Sequence, residues 1–528
     1  MYIAFIGPIL LTYMIYSALK IKRYLHMLQL NSYFNGRYMN WIRLNIVKVF
    51  EIKELTAFAA IILLFWGKVW VAAAVWTVIY LICIFFRKKN KEKKKFVVTS
   101  RIKRLMVTIS LLYAICLALF FIYSMSGSVF TICIMGFVLI DLTFLQPLLV
   151  ILANTINMPV EKYISNWYKN DAKNMIGKMN NLKVIGITGS YGKTSTKYIL
   201  NEILSRKYNV LMTPESYNTT MGVVKTIRTM LRPIHEIFIA EMGAKKKGDI
   251  REICELVSPG YGLLTSIGPQ HLESFKSIEN ITATKFELID CLPQDGKAFL
   301  NYDNNYIKER NTTKNKITYG ITTNSLNYRA EEIQFSSKGT SFILCTCDGK
   351  RIELATKLLG THNVLNIVAA SAVACELDVE PERLKYAVKL LKPVPHRLEL
   401  KDTANGSFII DDSYNSNPEG AKAALEVLGK FDSVNKILIT PGMIELGESE
   451  YDCNYEFGRL AAGVCDYVIL VGPDRTKPIY NGLKNLNYAD EKLYVARDLN
   501  DALVKMRSLL NNGSVVLFEN DLPDNYNE

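Results

Sequence analysis

The sequence predicts an α-helical transmembrane region followed by an α/β part with two parallel-sheet domains. Residues 1–152 contain several long apolar runs, far more than the remainder of the 528-residue chain. From Asn154 onward, apolar and charged residues mix as they do in soluble proteins. Short strand patterns there alternate with amphipathic helical stretches, and this alternation favours parallel sheets.

The apolar runs of residues 1–152 predict about five membrane spans, each of roughly 17–25 residues. Residues 55–86 fit either one over-long helix or a hairpin that turns near Gly67 and Lys68. In the hairpin, the first half is short for a span and could be a re-entrant segment. The hairpin is favoured, because it places the basic segments 20–53 and 87–104 on the same side of the bilayer. The predicted spans are 1–19, two halves of 55–86, 105–125 and 129–152.

The positive charge of the chain lies beside these apolar runs. The net charge is +13, yet residues 87–104 alone carry ten basic side chains against one acidic residue, Glu92. Residues 20–53 carry seven basic side chains against Glu51, and the chain after residue 153 is close to neutral. Basic loops next to apolar segments indicate membrane topology. Nucleic acid is therefore not expected as a partner.

A glycine-rich turn between a strand and a helix predicts a phosphate site. Lys183–Thr188 is typical of a buried strand, and Thr196–Arg206 is typical of an amphipathic helix. The turn between them directs backbone N–H groups and a helix N-terminus at phosphates, with the lysine at the terminal phosphates and the threonine at magnesium. Ile187 stands where the longer form of this motif has its first glycine. The predicted ATP-binding residues of the turn are Gly189, Ser190, Tyr191, Gly192, Lys193, Thr194 and Ser195.

Further motifs follow at fixed order along the chain. They are Tyr217–Gly222, Glu241–Ala244 after a strand, a strand from Leu264 that ends at His271, Lys285–Glu287 on a helical stretch, Asn301 at a strand end, Gly360–Asn366, His396–Glu399 and Asp411–Pro418. In this order and spacing, residues 182–448 resemble the Mur ligases, the ATP-dependent amino-acid ligases of bacterial cell-wall synthesis. Within that family, the branch that adds D-alanyl-D-alanine to a UDP-linked muramoyl tripeptide is the most similar.

The resemblance implies roles for individual residues. Thr194, Glu241 and His271 resemble the family's Mg²⁺ ligands, and Lys285 matches a lysine that the family carbamylates to hold a second metal ion. The implied catalytic residues are Lys193, Lys285, His271 and Arg397.

The resemblance also implies nucleotide contacts outside the glycine-rich turn. Asn301, Asn363 and Asn366 resemble positions that meet the nucleotide. Arg397 resembles an arginine at the γ-phosphate, and Asp412 an aspartate that binds the ribose. Asn363 and Asn366 remain open to a second interpretation, as helix caps.

The expected domains follow from these motifs and from the proline-rich segment Lys392–Pro395. They are a transmembrane region at 1–152, a linker at 153–182, a Mur ligase central ATP-binding domain at 183–395 and a Rossmann-like C-terminal domain at 396–528. Because ATP is cytosolic, the expected location is the cell membrane, multi-pass, with the catalytic domains in the cytoplasm.

The predicted function is a membrane-anchored, ADP-forming amide ligase that uses ATP and Mg²⁺. It would join an amino acid or short peptide to a carboxylate acceptor through an acyl phosphate. Helices stand where the family has its UDP-sugar domain, and Glu519–Asp521 stands where a basic Lys-Gly-Ser pattern is expected. These departures favour a lipid-linked acceptor. A polymerising ligase of the poly-γ-glutamate type and a P-loop membrane ATPase or transport component remain as alternatives.

Overall fold

The computed structural model describes two compact units, the first ending at Asn166 and the second beginning at Trp167. The residues described are 3–50, 52–86, 95–124, 129–270, 272–323, 325–336, 339–403, 406–414, 416–431, 435–444 and 446–521.

The described part of the first unit is helical. Its helices are α1 (Ile3–Leu30), α2 (Asn35–Leu44), α3 (Ile46–Val49), α4 (Phe58–Phe65), α5 (Val69–Phe85), α6 (Ser100–Ser124), α7 (Val129–Phe144) and α8 (Gln146–Gly177), with a 3-10 turn at Ile52–Ala57. The chain reverses between α4 and α5 at Gly67, whose φ of 73° is in the left-handed region that glycine tolerates. This is the hairpin that the sequence favours.

Three sequence expectations for this unit differ from the structure. Helix α1 continues past Lys20 to Leu30, so the first helix is longer than the run 1–19. The run 129–152 is not one helix, because α7 and α8 meet at an angle of 77°. Pro147 lies in the first turn of α8, where its missing N–H has no helical partner to lose. Residues 153–177, expected as a linker, continue α8.

One described helix has the length and apolar composition of a membrane span, and it covers Ser100–Leu119. The bent pair formed by the end of α7 and by α8 adds a second candidate if it is counted as one span. Five spans are therefore not confirmed. The basic residues 87–94 and the turn at 126–128 lie outside the described residues.

The second unit begins with a nine-stranded sheet. Its strands are β1 (Lys183–Thr188), β2 (Val210–Met212), β3 (Ile237–Glu241), β4 (Tyr261–Leu264), β5 (Lys297–Asn301), β6 (Asn315–Gly320), β7 (Tyr328–Ser336), β8 (Gly339–Cys345) and β9 (Arg351–Thr356). The order is β2-β3-β1-β4-β5-β6-β7-β8-β9. Strands β1 to β7 pair in parallel, and the β7-β8 and β8-β9 pairs are antiparallel.

Helices cover both faces of this sheet. They are α9 (Lys193–Leu204), α10 (Thr220–Met230), α11 (Asp249–Val257), α12 (Leu272–Phe275), α13 (Ile278–Asp290), α14 (Asn305–Lys308), α15 (Thr361–Cys375) and α16 (Pro381–Leu390). Alternate β1 residues enter two different cores: Ile185 and Ile187 pack with α9 and α15, and Val184 packs with α10, α11 and α13. A strand buried on both faces explains the continuous apolar run that predicts β1.

A six-stranded sheet follows in the same unit. Its strands are β10 (Glu399–Asp402), β11 (Phe408–Asp412), β12 (Lys436–Thr440), β13 (Tyr467–Val471), β14 (Leu493–Ala496) and β15 (Val515–Glu519), and its helices are α17 (Pro418–Gly429), α18 (Glu450–Ala462), α19 (Lys477–Asn485) and α20 (Leu499–Leu509). The order is β10-β11-β15-β12-β13-β14, and only β10 is antiparallel to its neighbour. The predicted α/β class with mostly parallel sheets is confirmed for both sheets.

Candidate functional site

The turn between β1 and α9 can be built only with glycine at two positions. Gly189 and Gly192 have φ values of 153° and 79°. A Cβ atom would lie 2.0 Å from Thr265 Oγ1 at Gly189 and 2.7 Å from Asn366 Oδ1 at Gly192. Gly192 is the N-cap of α9 and no side chain caps this helix, so its first amides are available to an anion.

The loop after β4 braces this turn. Ser190 N donates to Ser266 O at 2.6 Å, Thr265 Oγ1 donates to Tyr191 O at 2.5 Å, and Tyr191 OH donates to Pro269 O at 3.1 Å. Strand β4 ends at Leu264, and residues 265–270 form a loop where the sequence predicts a strand up to His271. These polar backbone contacts are what hold the phosphate turn. His271 itself lies outside the described residues.

Lys193 is held over the turn by the turn's own carbonyls. Its Nζ donates to Gly189 O at 2.6 Å and to Ser190 O at 2.8 Å. Burial, together with the nearby positive charge of Arg397, lowers the pKa of Lys193 to about 8, against a partial opposite effect of Glu241. At neutral pH this lysine is still a cation next to the N-terminus of α9. Ser195 lies in the first turn of the same helix.

Glu241 and Thr194 form the oxygen-rich part of the site. Glu241 ends β3 and is fully buried, and Thr194 Oγ1 and Asn218 Nδ2 each donate to Glu241 Oε1 at 3.0 Å. Burial alone would raise the pKa of Glu241, but Lys197 and Lys193 outweigh it and hold the pKa below the ordinary value. An ionised carboxylate beside a hydroxyl is a donor set that Mg²⁺ accepts. Both predicted ligands are therefore brought together.

Lys197 is a component of the site that the sequence motifs miss. It is fully buried on α9, its Nζ lies 2.9 Å from Glu241 Oε2, and it also donates to the carbonyl of Glu215. It lies one helical turn after Lys193, on the same helix face, and that spacing is the only sequence signal that could have found it. Its role in the geometry is to balance the buried Glu241 charge.

Lys285 lies on α13 and is also buried. Burial and the charge of Lys193 lower its pKa well below that of an ordinary lysine, in spite of Asp249, Glu241 and Glu287. The unprotonated fraction of the amine is therefore larger than in an ordinary lysine. Glu287, two residues along, is a structural neighbour: its carboxylate accepts from Gly248 N at 2.7 Å and from Arg251 N at 3.0 Å, at the start of α11.

The three predicted asparagines differ in what they contact. Asn366 Oδ1 accepts from Thr196 Oγ1 at 3.0 Å and lies against Gly192, so it borders the turn. Asn301 Nδ2 donates to Thr265 O at 2.7 Å and thereby fixes the bracing loop. Asn363 Nδ2 donates to Leu359 O at 2.8 Å from inside the first turn of α15, whose N-cap residue is Gly360, so the helix-cap interpretation is not confirmed for Asn363.

Arg397 and Asp412 approach the turn from the six-stranded sheet. Arg397 is far from Lys193 in sequence but near enough to lower its pKa, and its guanidinium lies 4.7 Å from the centroid of the Tyr414 ring. Asp412 ends β11, and Leu398 N donates to its Oδ1 at 3.2 Å. Burial raises the pKa of Asp412 to about 6, and Arg397 opposes that rise. Arg397, in the loop before β10, thus lies near enough to influence both Lys193 and Asp412.

A second carboxylate group near this edge is an ion-pair cluster. His396, Glu399 and Asp411 place possible metal-ligating atoms within 4.8 Å of one another. Lys401 Nζ lies 2.5 Å from Asp411 Oδ2 and 3.1 Å from Glu399 Oε2, so an ammonium group already neutralises these carboxylates.

Two family profiles match the chain. The Mur ligase middle domain matches residues 187–374, and the Mur ligase glutamate ligase domain matches residues 396–519, together more than half of the sequence. A UDP-N-acetylmuramoyl-tripeptide–D-alanyl-D-alanine ligase of Buchnera aphidicola (Acyrthosiphon pisum) is 30% identical over 320 residues, which are 59% of this chain and 70% of the relative. The chain belongs to the Mur ligase family.

Other Mur ligases are similar over comparable lengths. The Bacillus subtilis enzyme with the same name is 33% identical over 53% of this chain, and the chain spans 60% of that relative's length. Among solved structures, MurF from Acinetobacter baumannii has a TM-score of 0.62 at 26% identity, over 69% of this chain and 78% of that one. MurF from Thermotoga maritima in complex with ADP has a TM-score of 0.60 at 25% identity, over 68% and 80%.

Proposed function

We propose that this chain is a membrane-anchored, ATP-dependent amide ligase that joins an amino acid or short peptide to a carboxylate acceptor and releases ADP. The observation that carries the proposal is the grouping of Lys193, Thr194, Glu241 and Lys285 around one phosphate turn in a Mur ligase, with Arg397 supplied by the second sheet. Similarity to relatives named UDP-N-acetylmuramoyl-tripeptide–D-alanyl-D-alanine ligase supports envelope peptide synthesis as the setting of the proposed reaction.

Each residue of the site has a separate role in the proposed reaction. The amides at the start of α9 and the Lys193 ammonium bind the nucleotide phosphates, and Arg397 adds positive charge where the phosphoryl group is transferred. An acceptor carboxylate attacks the γ-phosphate, and the amine then displaces phosphate from the acyl phosphate. Supplying Arg397 and Asp412 from another sheet makes assembly of the site depend on both domains, a condition that helps to exclude water.

Magnesium fits the oxygen donors of Glu241 and Thr194, whose side chains already share a hydrogen bond. Bound there, the ion would neutralise phosphate charge. Lys285 supports a second position, because carbamylation by carbon dioxide requires the unprotonated amine that burial favours. We include His271 as a further ligand on the strength of the family resemblance alone.

The lipid-linked acceptor is the least conventional part of the proposal. One face of α6 is apolar and exposed: Val107, Leu111, Ile115 and Ile122 are each at least 58% accessible. Exposed apolar surface of this kind is typical of contact with lipid or protein. A helical region of this type would hold the enzyme where lipid-linked carboxylates are concentrated.

The test is an acceptor screen with the full chain in nanodiscs. The protein is given ATP, Mg²⁺, a bacterial lipid extract and single amino acids or dipeptides, while ADP release and product mass are followed. A ligase releases ADP only when amine and acceptor are both present, and its product gains the mass of the amine minus water. A ladder of products would instead identify a polymerising ligase. ATP turnover that follows solute flux and ignores amines would contradict the proposal in favour of a transport component.

A further inference from the structure

Two carboxyl groups face each other at the carboxyl ends of neighbouring strands. Strands β11 and β15 are parallel, and Asp412 and Glu519 are direct cross-strand partners. Glu519 is fully buried, and Ser416 Oγ donates to its Oε1 at 2.5 Å. Its Oε2 is buried and receives no hydrogen bond from a donor among the described residues. Among the described residues, Asp412 is the titratable group that interacts with the Glu519 carboxyl.

The surrounding charges do not allow both groups to ionise together. Arg397 is the cation near Asp412, and Asp411 adds a like charge on the same strand. The Asp411 carboxylate is itself hydrogen-bonded to Lys401 and His396. Among the described residues, β12, the other neighbour of β15, contributes no titratable group to the pair. The fully buried Glu519 carboxyl and the partly buried Asp412 carboxyl, adjacent and with Arg397 as the nearby cation among the described residues, retain one proton between them.

The proton belongs on Glu519. Burial and the neighbouring Asp412 raise the pKa of Glu519 well above its ordinary value, and the Ser416 hydroxyl only partly opposes this. Arg397 stabilises the charge of Asp412, whereas no cation acts on Glu519 among the described residues. At neutral pH the pair therefore consists of a carboxylic acid at Glu519 and a carboxylate at Asp412.

We propose that Glu519 is a positioning residue: as a neutral acid it donates a hydrogen bond to Asp412 and holds that carboxylate as an acceptor for the ribose hydroxyls of the nucleotide. A carboxylate has about four acceptor positions. Leu398 N and the Glu519 hydroxyl occupy two of them, which leaves two for a pair of vicinal hydroxyls. The inference rests on the proposed function, in which Asp412 meets the nucleotide.

The turn after β15 is built to keep Glu519 in place. Asn520 has a φ of 72°, a left-handed conformation that asparagine tolerates better than most residues. Its Nδ2 donates to Gly442 O at 2.6 Å, and its Oδ1 accepts from Ser416 N at 3.3 Å. Ser416, held in this way, donates to Glu519. The segment that departs from the basic pattern expected of the family is thus an ordered hydrogen-bond network.

The experiment measures Mg-ADP affinity of the full chain in nanodiscs by calorimetry between pH 7 and pH 10. Three proteins are compared: wild type, Glu519→Gln, and the exposed control Glu491→Gln. The glutamine amide keeps a donor for Asp412 but has no proton to lose. We expect the three proteins to bind Mg-ADP with equal affinity at pH 7. At higher pH, the wild type and the control should lose affinity relative to Glu519→Gln. The ratio of dissociation constants should approach about tenfold per pH unit above the Glu519 titration.

The comparison isolates Glu519 from the other titrating groups. Lys193 loses its charge near pH 8 in all three proteins, so its effect cancels in the ratio. A second variant, Ser416→Ala, should move the alkaline loss to higher pH, because the hydroxyl that lowers the pKa of Glu519 is removed. If Glu519→Gln fails to fold, the pH profile of Ser416→Ala still tests the role of Glu519.

Two outcomes overturn the inference, and they differ in meaning. Parallel pH profiles for wild type and Glu519→Gln, with Mg-ADP bound by both, would remove the role of Glu519 and leave the ligase proposal standing. No binding of Mg-ADP to any of the proteins, with the folded state verified by circular dichroism, would remove the nucleotide site and the proposed function with it.

Discussion

At the scale of single residues, the site is a balance of buried charges. Glu241 is surrounded by Lys197, Lys193 and a donor from Asn218, and these hold it ionised without exposure to water. Lys285 lies in the same environment with the opposite consequence, since burial and the nearby charge of Lys193 lower its own pKa. Each residue-level prediction below removes one member of this balance.

Replacing Lys193 by alanine should reduce ATP turnover by about 10²-fold or more, because one preorganised cation at the phosphates is lost. The fold should survive, since Lys193 Nζ bonds only to the adjacent turn. Turnover is measured as ADP release, and the exposed Lys247→Ala serves as the matched control. Turnover near wild type in a folded Lys193→Ala protein would refute the phosphate assignment.

Replacing Lys285 by alanine should abolish ligase activity, and small carboxylates should restore part of it. The reason is that a carboxylate added to the vacated space can stand in for the carbamate that we propose on this lysine. ADP release is followed with and without added acetate or formate. Full activity of Lys285→Ala without any additive would show that neither the amine nor a carbamate is required.

Replacing Lys197 by methionine should lower the free energy of unfolding by about 3–5 kcal/mol, because the buried Glu241 loses its partner. The pKa of Glu241 lies below its unfolded value, so its contribution is present above that value and is lost as the pH falls. The variant should lack this acid-dependent loss. Urea unfolding at several pH values measures both effects.

The control for Lys197 is an exposed ion pair of the same unit. Arg310 and Asp290 lie 3.4 Å apart with both side chains partly solvated. Arg310→Met should change the free energy of unfolding by less than about 1 kcal/mol. Equal effects of Lys197→Met and Arg310→Met would contradict the assignment of Lys197 as the counter-charge of Glu241.

At the scale of elements, the turn between β1 and α9 depends on backbone shape. Gly192→Ala should weaken Mg-ADP binding by at least about tenfold. Its left-handed conformation is unfavourable for alanine by roughly 1–2 kcal/mol, and its Cβ would lie 2.7 Å from Asn366 Oδ1. Gly248→Ala is the matched control, because Gly248 has a φ of 92° with no atom within 4 Å of its Cβ. Equal affinity losses in the two variants would mean that the turn's shape is not specific to the nucleotide.

Element types were predictable where the signal is local. The strand Lys183–Thr188 has the bounds that the sequence predicts, since a short apolar run before a glycine-rich turn leaves little choice. The predicted strand from Leu264 is wrong beyond Leu264 itself. The apolar pattern stops there, and the polar residues that follow form hydrogen bonds with another loop and not with a neighbouring strand. The α7-α8 bend was missed because composition continues across Pro147 although helix direction does not.

At the scale of the whole molecule, the nucleotide site belongs entirely to the second unit. A chain that begins at Met158 should keep Lys193-dependent Mg-ADP affinity within about twofold of full length, since distant, independent parts are close to additive. The cut keeps Tyr168 and Ala172, which pack into a core of the nine-stranded sheet.

The same truncated chain should work poorly on a lipid-linked acceptor, because it no longer shares the bilayer with it. Full-length and truncated proteins are compared with lipid extract and with a soluble UDP-linked peptide. Equal rates of the two proteins on both acceptors would leave the helices without a part in substrate delivery and would favour a soluble acceptor.

By itself, the sequence determined the fold class, the phosphate turn and the family, because each depends on contiguous residues. The phosphate turn follows from a strand, a glycine pattern and a helix start, and the family follows from the order of further local motifs. Only the tertiary structure decided which charged groups, far apart in sequence, interact with one another. Lys197 meets Glu241, Arg397 approaches Lys193, and Asp412 meets Glu519 through strand pairing and burial. No local pattern encodes these pairs, since folding brings together groups that are far apart in sequence, and burial strengthens the electrostatic interaction between them.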